Sequence, residues 1–334
     1  MKSSPPRNSY LHARKKLPSS MKLSLKFCRK AYRKLCNPAN RLPIDLSGQA
    51  ASDLIKAALV AEKPSMISRF GSVELSAILT ALAIHDKGGF VCKSLKAVFG
   101  EGQYFWWDKS VISSMYNNAG FFPSNPITLS EFAEKMLTDS SIIDILGSWT
   151  LGEKLVMDHN PNAKIIKLID MDPYFHDNPW TEALRGKKVL VIHPFEISIR
   201  NQYKKRHLLF TDPRILPVFD LLTLKAVQTI AGEKTNFANW FEALDSMCEA
   251  ISQKDFDIAI IGAGAYGMPL SAYVKRMGKK AIHLGGATQL LFGIKGKRWD
   301  ERGLYQSLYN EHWTRPLPEE TPQNARIVES SCYW

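Results

Sequence analysis

Residues 257–286 read DIAIIGAGAYGMPLSAYVKRMGKKAIHLGG. The apolar, β-branched run Ile258-Ala259-Ile260-Ile261 leads into Gly262, Gly264 and Gly267 in G-x-G-x-x-G spacing, then into a helical pattern and a second short strand. A strand that turns through glycines into a helix presents unpaired backbone N–H groups and the positive end of the helix dipole, which suits an anion such as a phosphate. A dinucleotide fingerprint also needs an Asp or Glu about twenty residues on, at the end of the next strand, to hold the ribose. Here that strand, 281–284, ends in Gly285-Gly286, and no carboxylate lies between Gly262 and Gly286. The motif also stands late in the chain, where a two-half dinucleotide fold would need further strand–helix units. The turn therefore reads as a phosphate site for a ligand other than NAD, or as glycines that only permit tight helix–strand packing.

Working outward, a second strand–turn–helix unit stands near the start: 66–70 (MISRF) as strand, then Gly71, then VELSAILTALAI as helix. Short apolar runs recur at 142–146, 165–169, 189–193 and 258–261. Helical patterns separate several of them, such as 52–61, a helix opened by Thr128 with Glu131 in capping-box spacing, and Trp240, Phe241, Leu244, Met247, Cys248 and Ile251. Strands alternating with helices predict an α/β protein with a mostly parallel sheet and flanking helices. No internal repeat is present.

A chain of 334 residues, 45% hydrophobic, can bury a full core. Its net charge of +12 suggests nucleic acid until it is located: residues 1–44 hold twelve Lys and Arg and no acid, leaving 32 basic against 32 acidic residues beyond them. The remainder is neutral, which argues against a nucleic-acid partner. Residues 1–20 are polar, basic and Pro/Ser-rich, a composition that predicts disorder. Residues 21–36 place Leu25, Cys28, Tyr32 and Cys36 at helical spacing among lysines and arginines. Such an amphipathic helix either lies on an anionic membrane surface or docks on the protein's own domain. Lysines interrupt every candidate secretory apolar run, and no stretch approaches the roughly 18 apolar residues of a membrane span. Five cysteines without a C-x-x-C argue against a disulfide framework and a structural zinc. These features predict a cytoplasmic protein, peripheral on the inner face of the cell membrane.

In an open α/β sheet ligands bind beyond the carboxyl ends of the strands. The residues there are Arg69-Phe70-Gly71-Ser72-Val73-Glu74, the D-x-D Asp170-Met171-Asp172, His193-Pro194-Phe195-Glu196, and the glycine turn. Arg69 suits an anion or Glu74. Glu74, Glu196 and His193 are candidate bases, though an Arg and a Glu five residues apart also suit a surface ion pair and His193 a structural hydrogen bond. Trp106 and Trp107 suit stacking on a sugar or core packing, and Lys204-Lys205-Arg206 a solvated helix face.

Arg69-Phe70-Gly71-Ser72-Val73-Glu74-Leu75 resembles the R-[FY]-G-D-G-E-[FL] box of GT-D type glycosyltransferases, and IIGAGAYGMPLSAYVKRMGKKAIHLGG resembles their second box. The resemblance spans roughly residues 50–300. It implies one Rossmann-like domain that uses a nucleotide sugar and a divalent metal to build bacterial surface glycans, on a glycan or lipid-linked acceptor. The domain is then expected over 45–310, after a basic tail at 1–44 and before an extension at 311–334. By the resemblance, Arg69, Gly71, Ser72, Gly262, Gly264, Gly267, Gly285 and Gly286 bind the donor and Glu74 holds the metal. The family's D-x-E stands here as Ser72-Val73-Glu74, so one carboxylate is missing and Mg²⁺ or Mn²⁺, which prefer charged oxygen donors, would be held more weakly unless Asp170 or Asp172 helps. An NAD(P)-dependent oxidoreductase and a non-catalytic nucleotide-binding glycan-assembly protein remain as alternatives.

Overall fold

A computed structural model of the protein describes residues 17–35, 41–99, 103–325 and 333–334. The disorder expected for residues 1–20 falls largely outside them.

Seven strands form one parallel sheet: β1 (Ser65–Ser68), β2 (Ile145–Ser148), β3 (Lys164–Lys167), β4 (Lys188–His193), β5 (Asp220–Lys225), β6 (Ile258–Ile261) and β7 (Lys280–His283). Their order is β3-β2-β1-β7-β6-β4-β5, so the strands that begin and end the sheet in sequence meet at its centre. Ile67 of β1 pairs with Ile282 of β7 on one side and Ile145 of β2 on the other. This is the expected α/β Rossmann-like architecture.

Burial on both faces explains why the strands read as unbroken apolar runs. Met66, Leu190, Ile192, Ala259 and Ile261 face one core layer, while Ile67, Val189, Val191, Ile258 and Ile260 face the other. The first layer is closed by the helices Ser72–His85, Pro126–Ser140, Trp240–Ser252 and Gly267–Arg276; the second by Gln49–Val60 and Glu196–Lys204. The chain leaves β1 and β6 for the first layer but β7 and β4 for the second. Neighbouring strand ends thus diverge, which opens a crevice at the carboxyl edge.

Three expectations need adjustment. β5 gave no recognised strand signal, being an edge strand with Leu221 and Leu222 only half-buried. The helix expected from Thr128 begins at Pro126, because Asn125 is the N-cap: its side chain accepts from Ile127 N and Thr128 N, and the Thr128 hydroxyl accepts from Asn125 N at 3.3 Å. Within 142–146, residues 142–144 form a turn before β2, and the Asp144 carboxylate accepts from Met66 N at 2.7 Å. Residues 311–325 pack on the same body: Thr314 bridges Ile294, and Trp313 and Glu320 are buried.

Candidate functional site

A cavity of about 580 Å³ lies at the carboxyl edge of the sheet. The segments after β1, β7, β6 and β4 line it with Arg69, Gly71, Ser72 and Glu74; Gly285 and Gly286; Gly262 and Gly264; and His193. Two motifs almost two hundred residues apart in sequence share one wall because β1 and β7 are paired.

Arg69 leaves the end of β1 and lies over Trp149, with its guanidinium carbon 5.1 Å from the ring centroid. Its Nε and a terminal nitrogen donate to Phe70 O at 3.2 and 3.0 Å, and Trp149 Nε1 donates to the same oxygen at 2.9 Å. Burial pulls the Arg69 pKa below its usual value, against Tyr333, Glu74 and Glu153. Glu153 is fully buried and fixes the Trp149 loop, accepting from the Ser148 hydroxyl and the Trp149 and Thr150 amides. Its carboxyl is pushed up by burial. Glu74 sits in the first turn of the Ser72–His85 helix with its carboxylate folded over Gly71, where a Cβ would come within 1.9 Å of an Oε. A side chain at position 71 would displace the Glu74 carboxylate from this place.

The glycines of the second motif divide into two kinds. A Cβ on Gly262 would lie 2.6 Å from Gly285 O and from the His193 ring, and one on Gly267 would lie 2.2 Å from His283 Nε2. These two glycines serve close packing, and Gly267 does not line the cavity. Gly264 has φ +51° and only Ala119 O, at 3.8 Å, near its Cβ position, so it faces open space. Gly285 has φ +62° and lies against Arg69. The helix that follows, Gly267–Arg276, carries no side-chain cap at its N-terminus.

His193 and His283 flank this turn as neutral rings. Phe195 N donates to His193 Nδ1 at 3.0 Å, which leaves the ring proton on Nε2. Burial pulls the pKa of His193 down to about 3, and burial with the Arg69 charge does the same to His283, whose Nδ1 lies 3.2 Å from Ser68 Oγ. His193 is a hydrogen-bond donor here, not a base.

Glu196 is not among the cavity-lining residues. Its carboxylate accepts from the Thr223 hydroxyl at 2.7 Å and from Arg200 at 3.0 Å, a pairing between β5 and the first two turns of its helix. Asp172 takes its place as the carboxylate of interest. It lines the cavity, is 7% exposed, and accepts from the Tyr305 hydroxyl at 2.6 Å. Burial pushes its pKa up to about 6, against that hydrogen bond and the charges of Arg69 and Arg302. Asp170 is buried without lining the cavity, as is Trp106; Trp107 packs at the edge of the first core layer and Lys204-Lys205-Arg206 ends a helix elsewhere. Among the described residues no group of three or more His, Cys, Asp or Glu is placed to hold a metal ion; the carboxylates that line the cavity are Glu74 and Asp172.

Arg298, Arg302, Trp299, Tyr305, Tyr333 and Trp334 complete the wall and were not anticipated. Arg298 lies over the Tyr333 ring at 4.7 Å, and Tyr333 packs on Gly286. These residues lie beyond the last strand, in short helices and loops with no periodicity to mark them. Comparison of the chain with protein-family models, with curated proteins and with solved structures found no match.

Proposed function

We propose that the cavity binds the diphosphate of a nucleotide sugar and that the chain is a glycosyltransferase acting on a glycan or lipid-linked acceptor. One observation carries this reading: the Arg69–Glu74 turn and the glycine turn converge on one cavity with Arg298 and Arg302. Guanidinium groups and oriented backbone N–H donors are what a departing nucleoside diphosphate needs. Arg69, Arg298 and Arg302 line the cavity and offset the diphosphate charge.

In the transfer step the acceptor O–H gives its proton to Asp172, and its oxygen bonds to the anomeric carbon. The bond from that carbon to the diphosphate breaks, and its electron pair leaves with the nucleoside diphosphate. A carboxylate with a pKa near 6 is ionised at neutral pH yet basic enough to take a proton. Tyr305 orients it through Oδ2. His193 Nε2–H and the turn amides donate to developing negative charge.

The second reading, nucleotide binding without transfer, is favoured by Ser72 standing where the resembled family has an acid. A dinucleotide has less support, since β7 ends in Gly285-Gly286 with no carboxylate for a ribose. Calorimetric titration with UDP-, GDP- and CMP-sugars, with NAD(P) in parallel, separates the three. A sugar nucleotide is expected to bind at micromolar level, with Arg69→Ala weakening it at least about tenfold. Micromolar NAD(P) binding with none for any sugar nucleotide would overturn the reading, and binding without transfer of label to any glycan acceptor would favour the second.

A further inference from the structure

We propose that the paired helices Ser19–Leu35 and Phe90–Phe99 form a docking surface for an anionic lipid bilayer, and that Leu23, Phe27, Val91 and Leu95 are the side chains that enter it. The proposal is independent of what the cavity binds.

Of the residues at helical spacing over 21–36, Tyr32 is turned onto the protein while Cys28 is exposed, and Cys36 lies outside the described residues. Tyr32 meets the ring of Phe99 edge-on at 5.0 Å. Arg29 is 4% exposed and lies over Tyr104 at 5.0 Å; Lys26 pairs with Asp108 at 2.5 Å; Lys22 lies over Trp106 at 5.7 Å. These contacts fix the helix's rotation, and with it which residues are left outside. Leu23 and Phe27, one turn apart, are 70% and 72% exposed.

The neighbouring helix repeats the pattern. Val91, Leu95 and Phe99 follow each other at four-residue spacing and are 69%, 51% and 48% exposed, with Phe90 exposed at the start. Single exposed apolar side chains are ordinary, but this many on two packed helices is a surface that wants a partner. Charge selects the partner. Neither helix contains an acid, and Lys30, Lys34 and Lys96 are exposed among the apolar residues. Lys96 pairs with Asp86 at 2.5 Å, and the exposed Lys30 and Lys34 leave the helix pair basic, so apolar side chains set among cations suit a lipid surface with anionic headgroups. Among the described residues no helix is long and apolar enough to cross a membrane, so the contact would be interfacial.

The full chain is sedimented with vesicles of phosphatidylcholine alone and of phosphatidylcholine with phosphatidylglycerol, at low and high salt. Binding is expected only with the anionic vesicles and should weaken with salt. The pairs Leu23→Gln/Phe27→Gln and Val91→Gln/Leu95→Gln should each weaken it about tenfold while leaving the far-ultraviolet circular dichroism unchanged. Cys28→Ser, exposed on the same helix but outside the two stripes, should bind as the wild type. Failure of the wild type to bind anionic vesicles would overturn the proposal. So would wild-type binding by both double variants, which would place the lipid contact in the basic tail alone. A concentration-dependent dimer that the same variants dissolve, without vesicle binding, would show that the surface joins two copies instead.

Discussion

The helices Glu196–Lys204 and Gly267–Arg276 begin at the same edge of the sheet, after the adjacent strands β4 and β6, and their first turns meet different surroundings. The first already holds an anion. Glu320 is 3% exposed and accepts from Ile197 N at 2.7 Å, from Ser198 N at 3.2 Å and from the Ser198 hydroxyl, so a carboxylate of the chain itself occupies that helix end. The second continues from a 3-10 turn at Gly264–Tyr266, and Gly262 and Gly264 ahead of it line the cavity. Similar strand–turn–helix geometry therefore gives an internal staple in one place and part of a cavity wall in the other. The difference is made by a residue more than a hundred positions away, so a strand–helix junction cannot be judged as a ligand site from its own sequence.

The largest expected effect tests the filled end. Glu320→Ala leaves two buried amides and a hydroxyl without their acceptor, which should lower stability by about 4 kcal/mol in chemical denaturation. A loss under about 1 kcal/mol would mean that the carboxylate is not what holds this helix start, and the comparison would break.

Asp172 sharpens the contrast, because it is a buried carboxylate with a single hydrogen-bond donor where Glu320 has several. Its folded pKa, about 6, lies above the usual 3.8. Between those values the folded state binds more protons than the unfolded one, so its contribution to stability is full below pH 3.8 and is lost as pH rises through 6. The loss amounts to about 3 kcal/mol. Denaturation of wild type and Asp172→Asn across pH 4–7 should show this fall only in the wild type. Under the transferase reading, turnover should rise through the same pH range and be abolished in the variant.

Two glycine substitutions then separate packing from binding. Gly262→Ala drives a methyl into Gly285 O and His193 and should cost about 2 kcal/mol in thermal or chemical unfolding. Gly264→Ala meets open space, so only its positive φ is penalised, by about 1 kcal/mol, while sugar-nucleotide affinity falls because the methyl stands in the cavity. Equal effects of the two on stability, with no change in affinity for Gly264→Ala, would place the whole turn on the packing side.

The central strands were legible in the sequence because burial on both faces forces continuous β-branched runs, as in Ile258–Ile261. β5 was not: Thr223 interrupts its leucines and none of its residues is fully buried, whereas β3, the other edge strand, buries Ile165 and Ile166. For the site, the residues directly after β1, β6 and β7 were found by the rule that ligands gather at strand ends. That rule failed for Glu196, whose carboxylate joins Thr223 and Arg200 instead of the cavity. Arg298, Arg302 and Tyr305 escaped it because they reach the cavity from the chain beyond the last strand. Glu153 and Glu320 carried no signal at all: a buried carboxylate is recognised by its donors, and those are set by tertiary contact.

The pairing of β1 with β7 has a consequence for how the protein is made. Ser68 and His283, 215 residues apart, lie 3.2 Å from each other at the centre of the sheet. Contacts of such long range form late in folding, because the loop between them must be closed first. During synthesis the Arg69–Glu74 turn would leave the ribosome long before its partner strand exists, and would wait beside an unpaired sheet edge. A chain stopped before residue 280 would thus hold Arg69, Glu74 and the glycine turn but no cavity, and ligand binding would report on completion of the fold.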